Sequence, residues 1–241
     1  MKAFFKKVAR GLSQAFFPEG IKCNGCGDEL SRSMKYCFCE KCLKKLTFCG
    51  ADVCKRCGSY MENLSDYCQT CKFSERPFDL ARGVLVYEND AARIIKAFKS
   101  GDKYYAPYFA DMLFDYYTEN LETNNIEAVT YVPCGKKRLK ERGYNQSAEL
   151  ARLFCENANL PLLDCLELSR QVAKQSLLTG AERAENIKGA FKITQNVSGK
   201  NIMLIDDVFT TGSTASECSA VLKKAGAKAV YVFTLATGKG K

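Results

Sequence analysis

Histidine is absent from this chain of 241 residues, and its absence restricts the metal sites that the chain can build. A zinc site that mixes cysteine and histidine ligands is excluded, so any zinc bound by the 14 cysteines has thiolate ligands only. A closed shell of four sulfurs leaves no position for a water molecule. A zinc site in this chain is therefore expected to be structural and not catalytic.

Long apolar runs are absent as well. No stretch approaches the roughly 20 uninterrupted apolar residues that a membrane-spanning helix needs, so we expect a soluble protein. A secretory signal would need an unbroken apolar segment of roughly 7–15 residues, and Lys6 with Lys7 interrupts the apolar stretch at the start of the chain.

Residues 1–20 instead have the pattern of an amphipathic helix. One face is apolar and the others carry cations. Two interpretations remain open: the apolar face packs on the rest of the protein, or it makes peripheral contact with a membrane or a partner. The apolar positions are Phe5, Val8, Leu12 and Phe16, and the cations are Lys2, Lys6, Lys7 and Arg10.

Ten of the cysteines lie between Cys23 and Cys71, mostly in Cys-x-x-Cys pairs. Such pairs are the usual ligand pattern of metal sites in reducing compartments, which predicts a cytoplasmic protein with two four-cysteine zinc sites. Gly27 and Gly58 follow the second cysteine of a pair, where a positive φ is often needed. The candidate ligands are Cys23, Cys26, Cys39 and Cys42, then Cys54, Cys57, Cys68 and Cys71.

Several properties of the cysteine module stay open. An iron–sulfur cluster and redox or structural thiols are alternatives to zinc, and the pairs can bind sequentially or interleaved. Cys37 can compete with Cys39 as a ligand, and Cys49 has no assigned role. The net charge of +9 falls to about +5 if eight thiolates bind two zinc ions, so charge alone favours nucleic acid only weakly.

A proline-containing segment, 73–79, ends the cysteine-rich region, and 82–87 then has the pattern of a strand. We predict an N-terminal helix over 1–20, a zinc-binding domain over 21–76 and an α/β domain over 77–241, with a mainly parallel sheet flanked by helices. Further strands are predicted at 128–132, 201–205 and 229–235. The predicted helical faces are Ala91, Ile94, Ile95 and Phe98; Ala151, Phe154, Cys155 and Ala158; and Cys218, Val221, Leu222 and Ala225.

Two acids, Asp206 and Asp207, follow the predicted strand 201–205. In open α/β sheets ligands bind beyond the carboxyl ends of the strands. A helix N-terminus with hydroxyls binds phosphate, and adjacent carboxylates can hold sugar hydroxyls or magnesium. The stretch is neither a Walker loop nor a Gly-x-Gly-x-x-Gly turn. The residues that open the next helix are Thr210, Thr211, Gly212, Ser213 and Thr214.

This stretch resembles the 5-phosphoribosyl-1-pyrophosphate (PRPP) motif of type I phosphoribosyltransferases. The resemblance implies that Asp206 and Asp207 contact the ribose 2- and 3-hydroxyls, directly or through magnesium. It also implies that residues 210–214 surround the 5-phosphate.

Two further blocks accompany this motif. The segment 132–146 places five cations after a strand, as a loop that suits a pyrophosphate, although a solvated basic turn explains that block equally well. The segment 175–191 has the pattern of a polar loop and a short helix that leads into an extended segment. The five cations are Lys136, Lys137, Arg138, Lys140 and Arg142.

In this order, behind a Cys-x-x-Cys module, the three blocks resemble the ComF family of bacterial natural transformation. The matching segments are 137–146, 204–214 and the series Gln175, Arg183, Asn186 and 189–191. The resemblance implies that Arg138 and Arg142, with Lys137, meet the pyrophosphate. It implies that Arg183 and Asn186 belong to a loop over the site.

Two functions follow as expectations. In the first, PRPP binds with magnesium and a phosphoribosyl group passes to an acceptor that the sequence does not identify; whether the domain turns over or only binds is open. In the second, the chain is a non-catalytic DNA-uptake accessory that binds single-stranded DNA beside competence and recombination proteins.

Overall fold

The computed structural model describes residues 22–30, 34–62, 65–101, 103–172 and 180–240. The predicted helix over 1–20 and Gln175 lie outside these residues. The chain divides into two compact units: the first ends at Leu46 and the second begins at Thr47. The three-part division predicted from the sequence stays a prediction.

The first unit is built around short turns. A 3-10 turn, Lys35–Cys37, is followed by helix α1, Glu40–Leu43. Cys39 is the N-cap of this helix, and its Sγ accepts a hydrogen bond from the backbone N–H of Cys42. Gly27 has a φ of +81°, so the predicted positive φ after a Cys-x-x-Cys pair is confirmed there.

The second unit contains the α/β elements. Its helices are α2 (Gln69–Phe73), α3 (Asn89–Lys99), α4 (Ala106–Asn120), α5 (Lys136–Arg142), α6 (Gln146–Ala158), α7 (Gly180–Ile187) and α8 (Ser213–Lys224). Its strands are β1 (Leu80–Val86), β2 (Ala128–Tyr131), β3 (Leu166–Leu168), β4 (Phe191–Ile193), β5 (Asn201–Phe209) and β6 (Ala229–Thr237). Short 3-10 turns occupy Lys103–Tyr105 and Glu122–Asn124.

Four strands form one parallel sheet in the order β1-β6-β5-β2. Ile205 of β5 lies opposite Phe233 of β6 on one side and Tyr131 of β2 on the other. Helix α8 connects β5 to β6, so the predicted βαβ unit is confirmed. Strands β3 and β4 form a separate antiparallel pair. The predicted mainly parallel sheet flanked by helices is therefore confirmed.

The core lies between the sheet and its helices. Residues 202–205 of β5 are all completely buried, as expected of a central strand covered on both faces. All four predicted core positions of α3 are buried. In α6 and α8 the predicted faces are buried except at Ala158, Val221 and Ala225, which lie at or near the C-terminal ends of the helices and are half-buried. Among the described residues, no helix is long and apolar enough to cross a bilayer.

Two elements differ from the sequence prediction. Strand β5 continues to Phe209, because its ladder with β6 extends to the pairs Asp206–Thr234 and Val208–Ala236. The basic block folds as helix α5 and not as a loop. Gly143 ends this helix in the left-handed region, at a φ of +77°, and its N–H donates to the carbonyl of Leu139 at 2.8 Å.

The segment with Cys54, Cys57, Cys68 and Cys71 belongs to the second unit and attaches directly to the sheet. The N–H of Tyr60 donates to the Gly238 carbonyl at 3.1 Å, and the N–H of Ala81 donates to the Arg56 carbonyl at 2.8 Å. Gly58 has a φ of +66°, and a Cβ there would lie 2.4 Å from the carbonyl oxygen of Ala81. Glycine is therefore required where this segment crosses β1.

Candidate functional site

The two predicted acids lie within the last four residues of β5. Thr210–Gly212 then form the β5–α8 loop, and α8 begins at Ser213. The N–H groups in the first turn of a helix have no partner within the helix, so this end of α8 presents donors beside the acids. Strand, loop and helix follow one another as predicted, but the acids lie within the strand and not after it.

The β5–α8 loop turns sharply at Gly212, where φ is +73°. A Cβ at this position would lie 2.4 Å from the ring of Phe209, so only glycine fits under the loop. The hydroxyls of Thr211 and Ser213 are 2.9 Å apart, and the Ser213 N–H donates to Thr211 Oγ1 at 3.4 Å. The loop is therefore compact and rich in hydroxyls.

Asp206 is held by a serine from another helix. Oδ1 of Asp206 accepts hydrogen bonds from Ser147 Oγ at 2.8 Å and from the N–H of Asp207 at 2.9 Å. Burial, followed by the charge of Asp207, raises the pKa of Asp206 to about 7. The charge of Lys99 and the bond from Ser147 oppose that shift. This carboxyl is consequently poised between its charged and neutral forms near neutral pH.

Asp207 forms an ion pair with Lys99, whose Nζ lies 2.8 Å from Oδ1. The side chain of Asp207 is 14% exposed and that of Lys99 27%, so the pair is shielded from solvent. Burial lowers the pKa of Lys99, but the charges of Asp207 and Asp206 raise it by more, and the net shift is upward. The lysine is therefore a cation at neutral pH and offsets part of the charge of the acids.

Sequence reasoning missed Lys99 and Ser147. Lys99 is the last residue of α3, and Ser147 is the second residue of α6. Asn145, the N-cap of α6, accepts from the Ser147 N–H at 3.1 Å and donates to the carbonyl of Val132 at 3.0 Å. A weak signal was present in the position of Ser147 directly after the basic block.

Helix α5 lies next to this group of residues. Arg142 Nη1 donates to Gln146 Oε1 at 2.9 Å, and Gln146 Nε2 donates to the carbonyl of Lys99 at 3.5 Å. Arg142 is thus connected to the acids through Gln146 and Lys99. Arg138 is half-buried, and Lys137 is exposed.

The third block approaches the same end of α8. The N–H of Gly189 donates to Oε1 of Glu217 at 2.6 Å, one turn into α8. Arg170 donates to the carbonyls of Asn186 and Lys188 at 3.0 and 2.8 Å and so fixes the end of α7. Arg183 lies in α7, and its side chain is outside the described part of the structure.

The structure therefore brings together residues from five segments, some of them predicted from the sequence and others not. Asp206, Asp207 and the β5–α8 loop form the centre, and Lys99 and Ser147 contact the two acids. The basic helix α5 and the end of α7 connect to this centre through Gln146 and Glu217. Oxygen donors of this kind, carboxylates with nearby hydroxyls, fit Mg²⁺.

The eight predicted metal ligands form two clusters. In each, the four sulfurs lie within 4.8 Å of one another. Cys26 and Cys39 have sulfurs 3.8 Å apart, and those of Cys57 and Cys68 are 3.6 Å apart. A tetrahedron with Zn–S bonds of about 2.3 Å has edges of about 3.8 Å, so both clusters can hold a zinc ion. The first cluster is Cys23, Cys26, Cys39 and Cys42, and the second cluster is Cys54, Cys57, Cys68 and Cys71.

The clusters decide two questions that the sequence left open. The pairs are combined sequentially and not interleaved, and the first cluster contains Cys39 and not Cys37.

Hydrogen bonding from the Cys57 side chain, together with backbone N–H bonds, lowers the pKa of Cys54 to about 4, although burial opposes this shift. In Cys23, burial raises the pKa but backbone hydrogen bonds lower it by more, to about 6. Each cluster thus favours at least one thiolate, the form that binds metal.

Comparisons with known proteins give matches over most of the chain, although no family model matches it. Competence protein F of Haemophilus influenzae is 27% identical over 206 residues, which cover 82% of this chain and 88% of that protein. Competence protein ComFC of Streptococcus pneumoniae is 28% identical over 232 residues, 89% of this chain and 99% of that protein. DNA utilization protein YhgH of Escherichia coli is 33% identical over 114 residues, 45% of this chain and 48% of that protein.

Solved structures also match part of the chain. Glutamine PRPP amidotransferase from B. subtilis matches with a TM-score of 0.37 and 21% identity, over 61% of this chain and 28% of that chain. Purine phosphoribosyltransferase from Pyrococcus horikoshii matches with a TM-score of 0.34 and 19% identity, over 54% of this chain and 74% of that chain.

Proposed function

We propose that the chain is a member of the ComF family, that it serves DNA uptake and that its second unit binds PRPP with Mg²⁺. The observation that carries the proposal is the juxtaposition of paired acids with a helix N-terminus. Asp206 and Asp207 lie in the last four residues of β5, and the hydroxyl-rich loop that follows leads into α8.

The β5–α8 loop has the chemistry of a phosphate site. N–H groups at a helix N-terminus and neighbouring hydroxyls donate to phosphate oxygens, and the helix dipole favours the negative charge. Thr211 and Ser213 supply hydroxyls, and the tight turn at Gly212 holds them together. We assign the 5-phosphate of the ligand to this loop and the first turn of α8, from Thr210 to Thr214.

The acids then face the sugar. Ionised carboxylates accept hydrogen bonds from ribose hydroxyls and bind Mg²⁺ through oxygen. Lys99 forms an ion pair with Asp207, and Ser147 donates a hydrogen bond to Asp206. A bound magnesium ion would supply positive charge for the pyrophosphate, and these residues orient the ribose.

Transfer would break the bond between the anomeric carbon and the pyrophosphate oxygen. Pyrophosphate leaves with the electron pair, the acceptor forms a bond to the same carbon, and the acceptor proton passes to solvent. Arg138 and Arg142, with Lys137, are assigned to the departing anion, because arginine and lysine neutralise the charge that develops there. Arg183 and Asn186 are assigned to a segment over the site.

Isothermal titration with PRPP and Mg²⁺ tests this assignment. The wild-type protein should bind, and the pair Asp206→Asn with Asp207→Asn should abolish the signal. Asp66→Asn with Asp90→Asn is the matched control, since both acids form surface ion pairs, with Lys55 and Arg93. Absence of binding by the wild-type protein, or equal binding by the double variant, would contradict the proposal.

The pKa of Asp206 adds a pH signature. A pKa of about 7 means that this carboxyl is protonated in acid and charged above neutrality. Magnesium and ribose hydroxyls prefer the charged form, so affinity should rise between about pH 6 and pH 8 more steeply in the wild type than in Asp206→Asn. Parallel pH profiles would show that Asp206 does not titrate in this range.

A second candidate function is binding of single-stranded DNA. It is favoured by the similarity to competence proteins and to a DNA utilization protein, and by helix α5. This helix carries five cations in seven residues, which suits a phosphate backbone. Affinity for an oligonucleotide should fall steeply with salt, because binding releases counterions. A Lys136→Gln, Lys137→Gln and Lys140→Gln variant should reduce that salt slope, whereas a flat response in the wild type would remove this candidate.

We assign both cysteine clusters to structural zinc and infer that the cysteine-rich module ends near residue 76. Four thiolates close the coordination shell, which leaves no position for a reacting water. Metal analysis should give about two zinc ions per chain by this coordination rule. One equivalent or fewer in freshly purified protein would contradict it.

A further inference from the structure

Arg76 contacts the β5–α8 loop from outside the sheet. Its Nη2 donates to the carbonyl of Thr211 at 3.3 Å, and its Nη1 donates to Ser216 Oγ at 3.3 Å. Thr211 lies in the loop, and Ser216 lies in the first turns of α8. One guanidinium therefore holds the loop and the start of the helix at the same time.

The same side chain interacts with the second cluster. Arg76 follows helix α2, which carries Cys71. The Arg76 side chain lies within hydrogen-bonding range of the Cys71 thiol. Nε of Arg76 is buried and has no hydrogen-bond partner among the described residues. A buried cationic N–H is stabilised by a nearby anion, and the thiolate of Cys71 in a metal-loaded cluster is such an anion.

A second connection runs along the backbone. Tyr60 lies between the two halves of the second cluster, and its N–H donates to the carbonyl of Gly238 at 3.1 Å. The N–H of Gly238 donates to the carbonyl of Phe209 at 2.7 Å, directly before the loop. The segment that carries the cluster thus reaches the β5–α8 loop by a side chain and by the main chain.

We propose that Arg76 is a positioning residue that couples the second cluster to the β5–α8 loop, so that metal binding by the cluster fixes the loop in the form that receives a phosphate monoester. The phosphate part rests on the proposed function. The coupling between cluster and loop does not, and the two can be tested separately.

Amide hydrogen exchange in the segment 209–217 measures the coupling directly. In Arg76→Ala this segment should exchange about tenfold faster, the size expected for loss of hydrogen bonds from a charged group. Exchange in residues 201–205 of β5 and the zinc content should stay unchanged. Affinity for ribose 5-phosphate should fall by about the same factor, since the loop is no longer held.

Arg56→Ala is the matched control. It removes the same charge from the same cysteine-rich segment. The Arg56 guanidinium, however, lies over the ring of Tyr67, at 5.9 Å, so exchange in 209–217 should not change. Arg76→Lys keeps the charge but lacks the guanidinium, which donates to two acceptors at once. It should therefore show most of the increase in exchange. Ser216→Ala removes one acceptor and should give a smaller increase in exchange, which keeps the test available if Arg76→Ala does not fold.

Chelation tests whether the coupling between the second cluster and the β5–α8 loop runs through Arg76 or through other contacts. Removing the metal from the wild-type protein should accelerate exchange in 209–217, and removing it from Arg76→Ala should add little. Equal acceleration in both proteins, or unchanged exchange in Arg76→Ala, would overturn the coupling. Faster exchange in Arg76→Ala together with no binding of ribose 5-phosphate by the wild type would leave the coupling standing and refute the proposed phosphate site.

Discussion

The two four-cysteine clusters have the same ligands and nearly the same spacing, yet they differ in their surroundings. All four cysteines of the second cluster are buried, whereas in the first cluster Cys26 is exposed and Cys39 is half-buried. The first cluster belongs to the small unit that ends at Leu46, and the second belongs to the unit with the sheet. The same set of four cysteines is thus placed in two different surroundings.

The difference comes from the residues between and after the ligands. The second cluster segment reaches the sheet through Tyr60 and Arg56, and the guanidinium of Arg82 in β1 donates to the carbonyl of Lys55 at 3.2 Å. A metal bound in the second cluster would therefore stabilise the α/β unit itself. A metal bound in the first cluster would stabilise a small unit with little apolar core.

The largest expected effect is the loss of a ligand from the second cluster. Cys57→Ser removes a buried ligand, and we expect the free energy of unfolding of the second unit to fall by more than about 3 kcal/mol, as for other lost metal sites. Cys26→Ser should leave that unfolding transition in place. Urea unfolding followed by tyrosine fluorescence measures both, since the chain has 12 tyrosines and no tryptophan. Equal loss in both variants would break the comparison.

A comparison of Gly58 with Gly27, each of which follows a Cys-x-x-Cys pair, sharpens this contrast between the two clusters. Gly58→Ala forces a left-handed φ on alanine and places its Cβ against the Ala81 carbonyl, whereas nothing lies within 4 Å of a Cβ at Gly27. We expect Gly58→Ala to cost about 3 kcal/mol or more and Gly27→Ala about 1 kcal/mol, the strain of the left-handed region alone. Calorimetry of both variants with metal bound tests this. Equal costs would mean that the segment with the second cluster does not approach β1 closely.

How much of the fold and of the candidate site could be predicted depends on whether each feature is set by neighbouring residues or by residues far away in sequence. The ligand sets, β5, α8 and the acids were predictable, because each depends on local spacing or on a continuous apolar run. The end of β5 was not, since residues 206–209 are polar or mixed and are held in the strand by pairing with β6. The basic helix α5 lacked an apolar period, but Gly143 after Arg142 was a usable signal for a helix end.

The missed site residues share one cause. Lys99 and Ser147 reach the acids from helices that lie far away in sequence, and only the assembled sheet brings them together. Arg76 is the same case, because nothing in the local pattern around Pro77 distinguishes it from a surface arginine. Tertiary contacts of single polar side chains leave no periodic signal.

A moderate effect is expected from Arg82, which joins the segment with the second cluster to β1. Its Nη1 donates to the carbonyls of Ala81 at 2.8 Å and Lys55 at 3.2 Å. Arg82→Met would leave these carbonyls without the guanidinium, so we expect a loss of about 2 kcal/mol, the usual cost of breaking hydrogen bonds to a charged group. Thermal unfolding of the metal-loaded protein measures it, and Arg93→Met, on the surface of α3, is the control.

The smallest effect concerns rates and not stability. A chelator reaches a metal by displacing one thiolate at a time, so an exposed ligand gives it an entry that four buried ligands do not. Cys26 is exposed and all of the second cluster is buried, which predicts two phases of zinc release, with the first cluster emptied first. Stopped-flow mixing with a chromophoric chelator should show the two phases, and Cys26→Ser should remove the faster one. Release in a single phase, or loss of the slower phase in Cys26→Ser, would mean that burial does not control access, and that the two clusters differ less in solution than their surroundings indicate.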